Sequence, residues 1–404
     1  MKNKFILVSI CLFLSCEDIG KNFNWSETNI GFSRTYGSIG YDYGWEASYS
    51  PFDKGIIITG RTSSKVNGQT DLWAIKTDEK GVAEWDHTFG GSEDDEGLDV
   101  ISTSDGGFLF IGNSWSFGNN QQIYAIKTDF QGNIIWEQNY GGVGWDVGEA
   151  VIETNDGSYL IAGHSNSPSI SSGNTDVFLL KIDLNGNLIS KNAYGNKAYP
   201  NHEWAYDIIQ IVNGGFLIVG ARDRYSTELK NILVINIDSD YNLVWEKELS
   251  VGGFVDETAY SISSTNDGKF IICASINSIE NPSNYEPKII KIDSYGNVEW
   301  QRKFKNNGNI NNQFRATSTL SGDFVIVGTS LSENSKEDAF LTKIDNNGNI
   351  LWSYAYGTSD HKDWGWSVFE DPNKNIIFVG STQSFGASLF DIYLVGVNEE
   401  GLSK

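Results

Sequence analysis

Six carboxylic acids recur at one place in this 404-residue chain, two residues ahead of a Gly or Ala: Asp42, Asp95, Asp146, Glu203, Glu257 and Asp363. At a seventh such place the chain has an amide, Asn311. If the chain closes on itself, these acids ring the mouth of a central channel, where they would draw in a cation or a basic partner. The same spacing serves folding equally well, because each acid is able to accept hydrogen bonds from the backbone of its own turn. Cleaving a glycan with such a ring requires two carboxylates roughly 5–10 Å apart, one of them protonated near neutral pH. Near-identical surroundings do not divide two acids in that way.

Where every repeat carries a feature, the fold accounts for it; departures from the repeat are the better candidates for binding. Tyr199-Pro200-Asn201-His202-Glu203-Trp204 is a longer, aromatic passage between units. Ala221 to Tyr225 places Arg222, Arg224 and Tyr225 together, in an expected loop between second and third strands. Arg315 follows the missing acid, and Trp364 and Trp366 flank Gly365 near His361. Aromatic faces mixed with Arg, Asn and acids suit stacking on sugar rings or gripping a protein loop. Packing between neighbouring units accounts for Trp and Tyr at the same places. No HExxH, GxSxG or phosphate-loop motif is present. The histidines His87, His164, His202 and His361 fall in different repeats. Asp-x-Asn-Gly-Asn turns lack the distal Glu of a calcium loop. No catalytic residue, metal or cofactor is therefore expected.

The elements that must carry these side chains repeat seven times. An apolar strand ending in an acid or amide closes at Asp78, Asp129, Asp183, Asp238, Asp293, Asp345 and Asn398. A fixed period of this size marks a propeller or a solenoid. Each unit holds four apolar runs rich in β-branched and aromatic residues, separated by turns such as Asp105-Gly106-Gly107 and Asn213-Gly214-Gly215. No sustained helical period interrupts them. The expected fold is all-β: a seven-bladed β-propeller of four-stranded blades. Phe32 to Gly37 matches the fourth strand of a unit, and the chain stops where the seventh such strand should begin. That N-terminal strand is expected to complete the last blade and cover its edge.

The unit Asp-Gly-Gly-Phe, then Tyr-Leu-Ile-Lys-x-Asp-x-x-Gly-Asn-x-x-Trp, then Tyr-Gly-Gly resembles the tandem propeller repeats of bacterial exported proteins and lipoproteins. Its best copies are residues 95–141 and 364–398. That family is loosely similar to quinoprotein-like and WD40-like propellers. The resemblance implies a surface or periplasmic binding role with no defined ligand, and no cofactor is carried over.

The start, MKNKFILVSICLFLSC, joins Lys2 and Lys4 to a short apolar run and Ser15 before Cys16. This pattern is an export signal, and its ending resembles a lipobox with Cys16 as the lipidated residue. The expected division is a signal over 1–15, an anchor and polar tether over 16–29, and the propeller over 30–404. A net charge of −23 with no basic cluster excludes a nucleic-acid surface. Cys273 reads as a small buried apolar residue. These features together give a binding or scaffolding propeller of the cell envelope, lipid-anchored at the outer membrane, with an envelope protein or glycan as partner. The alternative is a glycan-cleaving hydrolase or lyase using the channel-mouth carboxylates.

Overall fold

The structure, a computed structural model, describes residues 31–402 apart from 67–68, 119, 170–173, 196–200, 225–228, 251–254, 279–280, 305–312, 332–336, 359, 386 and 388. The signal, Cys16, the tether, Tyr225 and Asn311 lie outside the described residues.

Seven antiparallel sheets of four strands each make the blades. Blade 1 spans Asp42–Phe89, blade 2 Asp95–Tyr140, blade 3 Asp146–Tyr194 and blade 4 Glu203–Glu248. Blade 5 spans Val255–Lys303 and blade 6 Arg315–Tyr356. Blade 7 takes three strands from Asp363–Val397 and its fourth from Phe32–Tyr36, which pairs Phe32 with Gly396 and Tyr36 with Ile392. The expected closure by the N-terminal strand is therefore present. No helix occurs among the described residues.

Seven apolar clusters hold the ring together, one at each seam between neighbouring blades. Ala47, Ile56 and Ile58 of blade 1 pack on Ile377, Val379 and Ile392 of blade 7, for example. Strands buried on both faces read as continuous apolar runs rather than alternating ones, which is why Phe108–Ser114 and Gln122–Thr128 are buried at every residue.

The polar residues of the repeat have structural partners. Where the third strand carries a Lys before its last residue, as in five blades, that Lys turns back under the first hairpin: Lys76 meets Asp53 at 2.5 Å, Lys127 meets Asp105 at 2.9 Å, and Lys291 meets Asp267 at 2.8 Å. The outer-strand Trp reaches the next blade. Trp85, Trp136, Trp300 and Trp352 donate their indole N–H to the carbonyls of Phe130, Leu184, Asn346 and Glu399. The Tyr of the Tyr-Gly pair acts alongside, as when Tyr140 donates to the Gly186 carbonyl at 2.6 Å.

The first strand of every blade but blade 6 bulges once. In blade 3 the pairing skips from Gly148 to Ala150, leaving Glu149 without an opposite residue. Trp45, Leu98, Tyr206 and Trp366 are skipped in the same way in blades 1, 2, 4 and 7. In blade 5 the skipped residue is Tyr260. A glycine of the second strand makes room for the kink: a Cβ on Gly112 would fall on the Glu96 carbonyl. Bulges re-aim side chains, and here they aim them at the channel.

Candidate functional site

The six recurring acids form one tier near the start of their blades' first strands. Asp42, Asp95, Asp146, Glu203, Glu257 and Asp363 are all essentially inaccessible to solvent. Asp146 accepts from the Gly142 N–H at 2.8 Å and the Ser167 hydroxyl at 2.7 Å, and also from Ser165. Asp363 accepts from Ser384 at 2.7 Å and from the Thr358 N–H at 3.1 Å, with Thr382 as a further donor. Asp42 and Asp95 hold equivalent turns through Thr62, Ser64 and Ser116. In blades 4 and 5 a cation replaces the hydroxyls: Glu203 meets Arg222 at 3.0 Å and Glu257 meets Lys288 at 2.7 Å. Burial and the nearby Asp95 push Asp71 up to about 6, and burial with Asp42 does the same to Asp391.

Below this tier lies a more asymmetric set. The residue after each bulge is Glu46, Asp99, Ala150, Asp207, Ser261 or Ser367, and Arg315 holds the matching register place in blade 6. Arg315 reaches past blade 7 to Glu46 at 3.2 Å, and Ser367 of blade 7 donates to the same carboxylate. Arg315 also feels Asp207, Asp99 and Glu149, so groups from blades 1, 2, 3, 4 and 6 converge. One guanidinium thus serves four carboxylates. Burial, reinforced by Glu46, pushes Asp99 up to about 7, against the Val151 N–H that it accepts at 2.7 Å. Burial raises Asp207 to about 6, against Arg315 and the N–H groups of Ile208 and Ile262.

Glu149 differs from all of these. Six blades place an aromatic or aliphatic side chain at the bulge or, for Phe314, just ahead of the matching strand; blade 3 places a carboxyl there. It has no hydrogen-bond partner among the described residues, and His164 Nδ1 stands 3.8 Å away. Burial drives Glu149 up to about 8, opposed by Arg315 and reinforced by Glu96. Burial drives His164 down to about 4, so its ring is neutral and supplies no countercharge at neutral pH.

An aromatic group lies where blades 1 and 7 meet. Tyr43 stacks on Trp45 with ring centroids 5.6 Å apart and planes 10° apart, and on Trp364 at 6.2 Å and 10°. Tyr41 continues the row at 6.2 Å and 6°, and is the most exposed ring of the four. Arg61 lies 5.0 Å from the Tyr43 ring centre and pairs with Glu96 at 3.4 Å.

The residues singled out from the sequence fall in separate surroundings. Trp364 joins the aromatic row and donates to Glu337 at 2.6 Å; Trp366 is buried against Trp45 at 4.8 Å. Trp204 stacks on His202 and carries Lys230 over its face at 4.5 Å. Arg222 lies in the second strand of blade 4, which runs Phe216–Asp223, and not in a loop. The strand extends because Arg222 satisfies Glu203, Glu246 and Glu248 from a buried position. Arg224 binds Asn231 and Ser250, and His361 stays within its own turn on Thr358. Arg315 lies in the channel. Sequence reasoning passed over Glu46, Asp99, Glu149, Asp207 and His164. Comparing the bulge position across repeats would have isolated Glu149.

No protein-family model and no curated protein matches the chain. Solved structures do. An ulvan lyase, a polysaccharide lyase, aligns at a TM-score of 0.58 with 10% identity, covering 91% of this chain and 97% of its own. The α-L-arabinanase of Penicillium chrysogenum aligns at 0.50 with 14% identity over 76% of this chain and 94% of its own. The extracellular domains of Drosophila semaphorin 1b align at 0.51 with 9% identity over 92% and 87%. At these identities the likeness establishes the propeller and nothing finer.

Proposed function

We propose that this protein binds glycan at the mouth of its channel, outside the cytoplasm, as a lipid-anchored module of the cell envelope. One observation carries the reading: the near-parallel row of Tyr41, Tyr43, Trp45 and Trp364. Flat aromatic surface beside fixed polar groups is how proteins hold sugar rings, whose C–H faces stack while their hydroxyls take hydrogen bonds. Here Arg61, Glu96 and Asn113 supply those polar groups. The lyase and the arabinanase among the fold neighbours are consistent with this class of ligand. Titration calorimetry against an oligosaccharide panel tests it, with Tyr43→Ala set beside wild type. A saccharide bound by wild type and lost by a variant of unchanged melting temperature supports the site. Equal binding by both removes it. For the anchor, a labelled fatty acid should enter the wild-type protein in a bacterial host and fail to enter Cys16→Ala.

A cleaving role at the same mouth has one feature in its favour. Glu149 keeps its proton near neutrality, as an acid catalyst must. Release of new reducing ends from a bound glycan, abolished by Glu149→Gln, would establish it.

A further inference from the structure

At the end of the strands away from the acid ring, the Lys under the first hairpin belongs to a three-residue contact. Thr103 and Lys127 both meet Asp105 in blade 2, Thr154 and Lys181 meet Asp156 in blade 3, and Thr265 and Lys291 meet Asp267 in blade 5. Blade 4 replaces all three members: Ile211, Asn213 and Asn236 stand where these blades have Thr, Asp and Lys. A cavity of about 330 Å³ lies there, at the seam with blade 5, lined by these three residues and by Trp245. Small-molecule sites begin at roughly this size.

Two polar groups in the cavity are unused. Asn236 is only 6% exposed and lines it, and its carboxamide has no hydrogen-bond partner among the described residues. A buried amide without a partner is costly unless a ligand supplies one. Trp245 stands directly opposite Asn236 in the sheet. Four other outer-strand Trp residues give their indole N–H to a carbonyl of the next blade, whereas that of Trp245 has no acceptor among the described residues. Lys247 takes hold of the next blade's turn instead, donating to the Tyr295 carbonyl at 2.6 Å and to Asn297 at 3.1 Å.

The walls define the class of ligand. Exchanging Lys and Asp together removes both charges, and Asp238 spends its carboxylate on its own turn, accepting from the N–H groups of Asn242 at 2.8 Å and Asp240 at 2.9 Å. What remains is an uncharged set of amide and indole groups beside the apolar side chains of Ile211 and Val244. Such a set suits a ring with hydroxyls on its edge and C–H groups on its face. We propose that this cavity is a second binding site that takes one uncharged sugar residue, its hydroxyls bonded by Asn213, Asn236 and the Trp245 indole N–H. It lies at the opposite end of the blades from the channel mouth and does not depend on the glycan reading made there.

The test is saturation-transfer NMR, with titration, of the purified protein against glucose, galactose, mannose and N-acetylglucosamine, with methylammonium as a charged probe. At least one sugar should bind with a Kd on the order of 1 mM, the strength of a few neutral hydrogen bonds. The double variant Asn213→Asp/Asn236→Lys restores the pair that the other blades carry and fills the cavity. It should melt at or above wild type and lose the sugar. Trp245→Phe keeps a ring but removes the N–H, and should weaken binding about fivefold. Tyr43→Ala, at the mouth, should bind as wild type does. No transfer to any of the four sugars overturns the proposal, as does a sugar held equally by wild type and the double variant. Should the double variant fail to fold, undiminished affinity in Trp245→Phe overturns it. Methylammonium displacing the sugar from wild type overturns the uncharged class.

Discussion

Single side chains in the channel set its response to pH. Glu149 ionises in the unfolded chain near its ordinary value and in the folded chain near 8. Its proton is therefore held more tightly by the folded state, and it costs stability increasingly as pH rises between those two values. Glu149→Gln should raise the melting temperature at pH 8–9, by on the order of 1–3 kcal/mol of stability once solvent relaxation is allowed for. Near pH 4 the two proteins should melt together. A variant equally stabilised at both ends of the range would show that charge is not the cause. Arg315 predicts the opposite sign. Arg315→Met strands Glu46, Asp99, Glu149 and Asp207 without their shared cation. The loss should be about 3 kcal/mol or more at pH 8, where an unpaired buried charge is most costly. It should shrink toward pH 5 as the carboxyls take up protons, and unfolding in urea at the two pH values reads the difference.

At the scale of strands and turns, the repeat's own residues did most of the specifying. The acids ahead of Gly or Ala, the third-strand Lys and the fourth-strand Trp recur because each closes the same local contact in blade after blade. That made the architecture readable, since any one copy is noisy while seven agree. The site was harder to read for the same reason. Glu149 is one ordinary acid among many until the bulge positions are laid side by side, and a bulge leaves no mark in local composition. Arg222 misled in the other direction. It looks like an unusual loop cation, yet Glu246 and Glu248 from the far strand of its sheet hold it inside the blade. Arg315 stood out as a departure, but its partner Glu46 lies 269 residues away, beyond any local pattern. The Lys contacts give this scale its prediction. Lys127→Met leaves Asp105 without the cation that, after the Thr103 hydroxyl, holds its carboxyl below the ordinary range against burial. Asp105 is half exposed, so solvent screening holds the loss at pH 7, read by urea unfolding, to about 1 kcal/mol. That loss should narrow in acid, because a depressed carboxyl contributes its stability above its unfolded value and loses it as pH falls.

For the whole molecule, closure decides cooperativity. Removing residues 31–37 strips the fourth strand from blade 7 and leaves the Asp391–Val397 strand with an open edge. The truncated protein should self-associate through that edge and unfold over a broader range than wild type. Size-exclusion chromatography with light scattering, read beside thermal unfolding, reports both. A monomeric truncation with an unchanged transition would mean that the seam clusters alone hold the ring.

The pairing of Phe32 with Gly396 also sets an order in time. The strand that leaves the ribosome first cannot find its place until the strand that leaves nearly last has arrived. Six blades are complete in themselves and are free to form as the chain emerges, but the seventh must wait, with its outer strand held back at the other end of the polypeptide. Contacts between such distant residues are the slowest to form. Ring closure is thus the final step of folding, and a chain cut short between Asp363 and Val397 would be left as an open arc, the state most exposed to misassembly.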